Sequence, residues 1–80
     1  MAILRLFASA REAAGTGRDD LPGTTVGELL AVARERYGDA FGDVLSTCRV
    51  WVNGEAATTE TMISSRDEVA ILPPVSGGAS

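Results

Sequence analysis

The residues whose types and spacing are best suited to a chemical role lie at the end of the chain, in the stretch PPVSGGAS. Pro73-Pro74 stiffens the backbone, whereas Gly77-Gly78 lacks Cβ atoms and can thread a narrow channel. An extended tail from Pro74 to Gly78 reaches about 15 Å at ~3.3 Å per residue. By itself, however, a Gly- and Ser-rich end is typical of a flexible tail.

The composition of the chain excludes most other chemistry. Its 80 residues include no histidine, so Ser-His-Asp and Cys-His mechanisms and histidine-based zinc sites are excluded, and we expect no metal. Cys48 is the one cysteine, and we expect it to fill space in the core. The acidic pairs Asp19-Asp20 and Asp67-Glu68 are expected at solvated turns. The predicted domain therefore contains no catalytic constellation.

The charge and hydropathy of the chain indicate its surroundings. All seven basic residues are arginines, and the net charge of −4 argues against nucleic acid and is compatible with basic partner proteins. A single cysteine excludes an intramolecular disulfide and favours a reducing compartment. No apolar run approaches the ~20 residues that span a bilayer, and the start lacks a signal-peptide pattern. We therefore expect a cytoplasmic protein without a membrane partner.

The hydrophobic periodicity predicts the elements that must position the tail. Strands are expected at 2–8, 18–22 and 68–72, and a hairpin at 48–56 turns at Asn53-Gly54. A main helix is expected between Thr25, with Glu28 at capping-box spacing, and Gly38. Shorter helical turns are expected at 10–14 and within 39–46, and the loop before the last strand should tuck Met62 or Ile63 inward.

This order predicts an α+β fold of two layers that looks like a β-grasp, with a mixed sheet of four to five strands packed on one main helix. Residues 1–74 would form the domain and 75–80 a flexible tail. Strand alternation assigns one set of side chains to the core beneath the helix: Leu4, Leu6, Val50, Val52, Val69 and Ile71. It assigns another set to the opposite face: Ile3, Arg5, Phe7, Trp51, Ala70 and Leu72. Phe7, Trp51 and Leu72 would then form an exposed apolar patch, unless loops cover them.

Three stretches carry a resemblance to a known family: LFASAREAAG near the start, VNGE at the hairpin, and DEVAILPPVSGG at the end. Together with the order of elements, they make the chain resemble the ubiquitin-like sulfur carriers of the MoaD/ThiS family, most closely the small subunits of molybdopterin synthase. Two departures stand out. The chain has SSRDE where the family commonly has a glycine in the last turn, and Ala79-Ser80 follows the glycine at which the family usually ends.

The resemblance implies a function for the tail. An E1-like partner would use ATP to adenylate the carboxylate of Gly78, and sulfur would then displace AMP to leave a thiocarboxylate. The chain itself would bind no cofactor and would be a non-catalytic carrier. It would dock on the molybdopterin synthase large subunit through Phe7 and Leu72, together with Trp51, while Pro73, Pro74, Val75 and Gly77 guide the tail.

Several alternatives stay open. Ala79-Ser80 adds roughly 7 Å of chain, and it is either trimmed by a protease, a vector-derived remnant, or a sign that this copy carries no sulfur. The sulfur could serve thiamine, cysteine, thiouridine or siderophore synthesis instead of molybdopterin. Two further classes are a ubiquitin-like protein modifier joined through Gly78 and a ubiquitin-like binding module with an inert tail.

Overall fold

The computed structural model describes residues 1–73, which form a sheet with helices on one side. Within these residues the sheet has five strands in the order β2-β1-β5-β3-β4. The strands are β1 (Ala2–Leu6), β2 (Arg18–Leu21), β3 (Arg49–Val52), β4 (Glu55–Ala56) and β5 (Glu68–Leu72). β1 and β5 pair in parallel at the centre, and the other pairings are antiparallel. The sheet is therefore mixed, and the predicted α+β class is confirmed.

Strand alternation divides the sheet into an inner face, covered by the helices, and an outer face. On the inner face Leu4, Leu6, Val69 and Ile71 are at most 2% exposed, because β1 and β5 lie at the centre of the sheet. Val50 and Val52 are only half-buried and pack against the edge of the core. The predicted inner face is thus correct in its residues, but β3 lies too near the edge for full burial.

The main helix, α2 (Val26–Tyr37), begins as its sequence predicts. The Thr25 hydroxyl accepts a hydrogen bond from the Glu28 N–H at 3.2 Å, and the Glu28 carboxylate accepts one from the Thr24 N–H at 2.8 Å. The Thr24 N–H and the Thr24 hydroxyl both donate to the Glu28 carboxylate, and these two bonds lower the pKa of Glu28. The helix buries one stripe against the sheet, consisting of Val26, Leu29, Leu30 and Ala33.

The two shorter helices correct the predicted boundaries. β1 ends at Leu6 rather than residue 8, because the chain turns into α1 (Ala8–Ala14), which begins two residues before the predicted turn. The second predicted turn is a helix of seven residues, α3 (Asp39–Leu45), which buries Phe41 and Leu45. Gly38, with φ +95°, ends α2 and begins α3 without a linker.

The prediction that the acidic pair Asp19-Asp20 lies at a solvated turn is wrong. Both residues lie within β2. Asp19 is on the inner face, opposite Leu4. Its carboxylate accepts a hydrogen bond from the Tyr37 hydroxyl and lies 3.2 Å from Arg36 Nε. These contacts attach the edge strand β2 to the end of α2, so the role of Asp19 in this structure is architectural.

A cluster of hydrogen bonds joins the β3–β4 turn to the start of β5. Asn53 (φ +52°) and Gly54 (φ +86°) form the predicted left-handed turn. The Asn53 amide donates to Asp67 Oδ1 at 3.0 Å, and its oxygen accepts from the Glu68 N–H at 3.0 Å. Asp67 Oδ2 accepts from the Ser64 N–H at 2.8 Å. This hydrogen-bond cluster, formed by Asn53, Ser64, Asp67 and Glu68, fixes the last turn without a glycine.

The loop before β5 tucks one of its two predicted residues inward. Ile63 is 7% exposed and joins the core, whereas Met62 is 70% exposed. Ile63 is held by its N–H, which donates to the Thr24 carbonyl at 3.0 Å. As for the helices, none within residues 1–73 has the length and apolar character that crossing a membrane requires.

Candidate functional site

The outer face of the sheet brings the predicted patch residues together. Trp51 on β3 lies opposite Ala70 on β5, and Ala70 lies opposite Arg5 on β1. One row further along, Leu72 lies opposite Arg49, and Phe7 follows β1 beside them. Side chains from three strands therefore meet on one surface, although they are far apart in sequence.

These side chains line an open groove of about 460 Å³, here called the docking groove. Its lining residues are Phe7, Arg49, Trp51, Gly54, Glu68, Ala70, Leu72 and Pro73. Phe7 is 39% exposed, and Trp51 and Leu72 are half-buried. Among the described residues the groove is open to solvent, so the interpretation that loops cover the patch is not the one observed.

Phe7 is held at one end of the groove by its backbone. Its N–H donates to the Ile71 carbonyl at 3.2 Å, which extends the pairing of β1 with β5 by one residue. Its carbonyl accepts from the Ala10 N–H at 3.1 Å and from the Arg11 N–H at 3.4 Å, at the start of α1. The exposed aromatic ring therefore stands on a rigid backbone.

Arginines frame the apolar centre of the groove. Arg5 Nη1 lies 3.0 Å from Glu68 Oε2, and the Arg5 guanidinium carbon lies 5.8 Å from the centre of the Phe7 ring. Arg49 stands on the opposite side, beside Leu72. The net negative charge of the chain had indicated basic partners, whereas the charged side chains described here around the groove are Arg5, Arg49 and Glu68, and Glu68 is paired with Arg5. The groove therefore has apolar side chains at its centre and a mostly basic frame.

The groove ends where the chain leaves the sheet. Pro73 lines the groove and directly follows β5, so the predicted tail starts from the same surface. The other predicted tail residues, Pro74, Val75, Gly77 and Gly78, lie outside the described residues, as does Ala79-Ser80. The boundary between the domain and a flexible tail at residue 74 therefore stays a prediction.

The remaining candidate residues do not form a reactive site. Cys48 lines a smaller crevice, of about 280 Å³, on the helix-covered side of the sheet, and burial raises the pKa of its thiol. A raised pKa leaves less thiolate at neutral pH, so the thiol is a weaker nucleophile there. Asp67 belongs to the hydrogen-bond cluster, whose bond from Asn53 contributes most to lowering the pKa of that carboxyl. Within residues 1–73 no three acidic, Cys or His side chains gather as metal ligands.

Sequence reasoning missed the polar part of the groove. Arg5 was assigned to the correct face, but its pairing with Glu68 follows from the parallel register of β1 and β5, which alternation does not give. Arg49 was not singled out, although its spacing of two from Trp51 places both side chains on one face. That spacing could have placed Arg49 in the groove from the sequence.

The fold defines a ubiquitin-like β-grasp domain with an open apolar groove on its sheet, and comparison with known proteins gives its family. The model of the ThiS family matches residues 4–78. The chain belongs to the ThiS family.

Two curated relatives cover most of the chain. It is 37% identical over 81 residues to a molybdopterin synthase sulfur carrier subunit from Phaeosphaeria nodorum, covering 90% of this chain and 84% of the relative. It is 39% identical over 85 residues to small archaeal modifier protein 1 from Haloferax volcanii, covering 92% and 97%. The relatives thus carry two different kinds of name, sulfur carrier and modifier.

Solved structures confirm the β-grasp architecture. Small archaeal modifier protein 1 from Methanosarcina acetivorans matches with a TM-score of 0.86 and 32% identity, over 96% of this chain and 95% of that one. In the complex of subunits 1 and 2 of the molybdopterin-converting factor from Helicobacter pylori, one chain matches with a TM-score of 0.73. Its identity is 22%, over 96% of this chain and 97% of that one, so this second likeness concerns the fold.

Proposed function

We propose that this protein is a sulfur carrier whose Gly78, once it is the terminal residue, is activated as an acyl adenylate and converted to a thiocarboxylate. The observation that carries the proposal is the extent of the family match, which runs from residue 4 to residue 78 and ends at the second glycine. Ala79-Ser80 lies beyond it. The tail starts from the docking groove, and the family match extends to this glycine. Both observations support a carrier function.

The proposed chemistry is nucleophilic acyl substitution on the carboxylate of Gly78. A carboxylate is a poor electrophile, so an E1-like partner would first join it to AMP from ATP, with release of pyrophosphate. A sulfur nucleophile would then attack the acyl carbon, and AMP would leave. The chain supplies the carried group and its delivery, while the catalytic groups belong to its partners. We propose the cytoplasm as the compartment of this reaction.

The docking groove would seat the carrier on its partners. Phe7, Trp51 and Leu72 are large apolar side chains of the kind that anchor protein interfaces. Pro73 and Pro74 would limit the freedom of the tail at its exit, which lowers the entropy lost on insertion. Val75 and the glycines would then lie within the partner. The large subunit of a molybdopterin synthase and the E1-like enzyme are the two partners that this surface would serve in turn.

Molybdopterin synthesis is the pathway that we propose first. The relative from Phaeosphaeria nodorum is named as a sulfur carrier subunit of molybdopterin synthase and covers most of the chain. The Helicobacter pylori structure is a complex of two subunits of a molybdopterin-converting factor, and one of them shares this fold. Other sulfur-transfer pathways remain the alternative, and an assay with a pterin precursor separates them.

Protein modification is the second candidate function. The relative from Haloferax volcanii is named a modifier protein, and it is 39% identical to this chain. Since the sequence has no lysine, the chain could be attached to other proteins through Gly78 but could not form lysine-linked polymers of itself. A search for tryptic peptides whose lysines carry the remnant left after cleavage at Arg66, residues 67–78 of this chain, tests this candidate.

The test of the carrier function compares two forms of the chain in a reconstituted assay. The form ending at Gly78 and the form ending at Ser80 are each incubated with the E1-like enzyme, ATP and a sulfur donor. We expect the form ending at Gly78 to gain the mass of one sulfur-for-oxygen exchange, and the longer form to stay unchanged. Efficient adenylation of the form ending at Ser80 would contradict the need for trimming by a protease.

The Gly77→Val variant of the form ending at Gly78 tests the tail as a threaded element. A β-branched side chain restricts the backbone and adds bulk where only a bare chain would fit. We expect sulfur transfer to be lost while the thermal midpoint stays within the error of the wild type. Transfer at the normal rate would reduce the glycines to a flexible end, whereas a thermal midpoint lower by several degrees would favour the binding module with an inert tail.

A further inference from the structure

Ala8, at the corner between β1 and α1, has an unusual backbone conformation. Its φ is +51°, in the left-handed region. Within residues 1–73 only one other non-glycine residue has a positive φ, namely Asn53, whose type suits that conformation. Alanine does not suit it, since its Cβ crowds the backbone there. Strain of this kind is retained only where the surrounding structure imposes it.

The surroundings of Ala8 connect the docking groove to the core. On one side Phe7 has extended backbone (φ −131°, ψ 150°) and is tied to β5 through the Ile71 carbonyl. On the other side α1 is anchored by Ala10, which is fully buried. Ala8 is therefore the single residue at which the chain turns from the groove into the helix, and its angles set the direction from which Phe7 leaves the sheet.

Glycine would adopt the same angles without strain, but it would also leave the corner free to move. An alanine at this position restricts the backbone to a narrow range of φ and ψ angles. We propose that Ala8 is a positioning residue, which holds the Phe7 ring over the docking groove in the orientation that a partner binds. This inference rests on the proposed function, since it assumes that the groove is the docking surface. This pre-organisation favours binding, because the backbone at the corner loses less conformational entropy when the partner binds.

The experiment measures binding of the molybdopterin synthase large subunit by titration calorimetry, next to a thermal melt. In Ala8→Gly we expect affinity to fall about two- to fivefold, the range that the extra backbone freedom of glycine allows. The loss should appear in the entropy of binding, with the thermal midpoint unchanged or raised. Ala8→Asn, which keeps a Cβ and tolerates the left-handed region, should bind like the wild type.

Two controls make the outcomes distinct. Ala31→Gly, on the exposed face of α2, should lower the thermal midpoint and leave affinity unchanged, which separates stability from binding. Phe7→Ala should weaken binding strongly. If Phe7→Ala weakens binding but Ala8→Gly binds like the wild type, or if Ala8→Asn is as weak as Ala8→Gly, the positioning role is overturned. If Phe7→Ala itself binds normally, the docking function of the groove fails, and the inference fails with it.

Discussion

Phe7 follows the last residue of β1, and its backbone still pairs with β5 although its side chain stands outside the core. Leu72 ends β5 and contributes to the same docking groove from the neighbouring strand. Both side chains point away from the buried face, where Leu6 and Ile71 lie next to them in sequence. Along each of these strands, a residue that lines the groove is thus the direct neighbour of a residue that packs in the core.

The first prediction tests this separation with Phe7→Ala and Leu72→Ala. Each should weaken binding to the molybdopterin synthase large subunit by ~1–2 kcal/mol or more, because a buried interface anchor is removed. The thermal midpoint should change little, since neither side chain is part of the core. Binding is measured by titration calorimetry and stability by a thermal melt.

Met62→Ala is the matched control, since Met62 is a large exposed apolar residue that does not line the docking groove. It should bind like the wild type. Normal binding by both groove variants, or unfolding of both, would mean that the two faces of the sheet are wrongly assigned.

At the scale of elements, the hydrogen-bond cluster joins the β3–β4 turn to β5. Asn53 and Asp67 are 14 residues apart, and their side chains meet only because β3 and β5 pair. In the last turn Asp67 accepts the Ser64 N–H and donates its own N–H to the Ser64 carbonyl. The cluster closes the last turn with the side chains of Asn53 and Asp67, and none of residues 64–67 is a glycine.

The second prediction concerns the pH dependence of this cluster. The bonds from Asn53 and Ser64 lower the pKa of Asp67, so the folded state favours its charged form. The resulting stability is present above the ordinary pKa of about 3.9 and is lost as the pH falls through the lower folded value. Asp67→Asn should therefore be less stable than the wild type at pH 7, and the difference should shrink in strong acid.

Urea unfolding of wild type and Asp67→Asn at pH 7 and in strong acid measures this difference. Asp43→Asn, an exposed carboxylate on α3 outside the cluster, is the control and should differ little from the wild type at either pH. A difference for Asp67→Asn that stays constant down to strong acid would contradict a charge-dependent role.

The sequence predicted the elements more completely than their positions in the sheet. Alternation and caps gave β1, β2, α2 and β5, because each pattern lies within one short segment. The half-burial of Val50 and Val52 and the pairing of Arg5 with Glu68 depend on strand order, which short segments do not contain. Asp19 was interpreted as solvated because its partner Tyr37 is 18 residues away. The apolar residues of the groove were predicted because alternation assigns each of them to a face. The positions of the arginines around them depend on strand order, which alternation does not give.

At the scale of the whole molecule, composition determines how stability responds to pH. Since the chain has no histidine and no lysine, no side chain ordinarily titrates between about pH 5 and 8. Above that range the side chains left to titrate, besides the arginines, are Cys48 and Tyr37. Burial raises the pKa of both, and the hydrogen bond to Asp19 raises that of Tyr37 further.

The third prediction follows from these two groups. Because each pKa is higher in the folded state, the unfolded chain loses its proton first as the pH rises. The free energy of unfolding should therefore be level between about pH 5 and 8, and should fall above about pH 8.5 for Cys48 and about pH 10 for Tyr37. Urea unfolding across this range measures the profile. Cys48→Ala with Tyr37→Phe should flatten its alkaline part, and an unaltered decline in that double variant would contradict the assignment.

Whether Gly78 carries sulfur can be read from the intact mass of the protein purified from its own cells. We predict a species that ends at Gly78, with part of the population heavier by one sulfur-for-oxygen exchange at the C-terminus. Fragmentation should place the added sulfur on Gly78. A protein that always ends at Ser80 with an ordinary carboxylate, in cells that are making molybdopterin, would show that Gly78 does not carry sulfur.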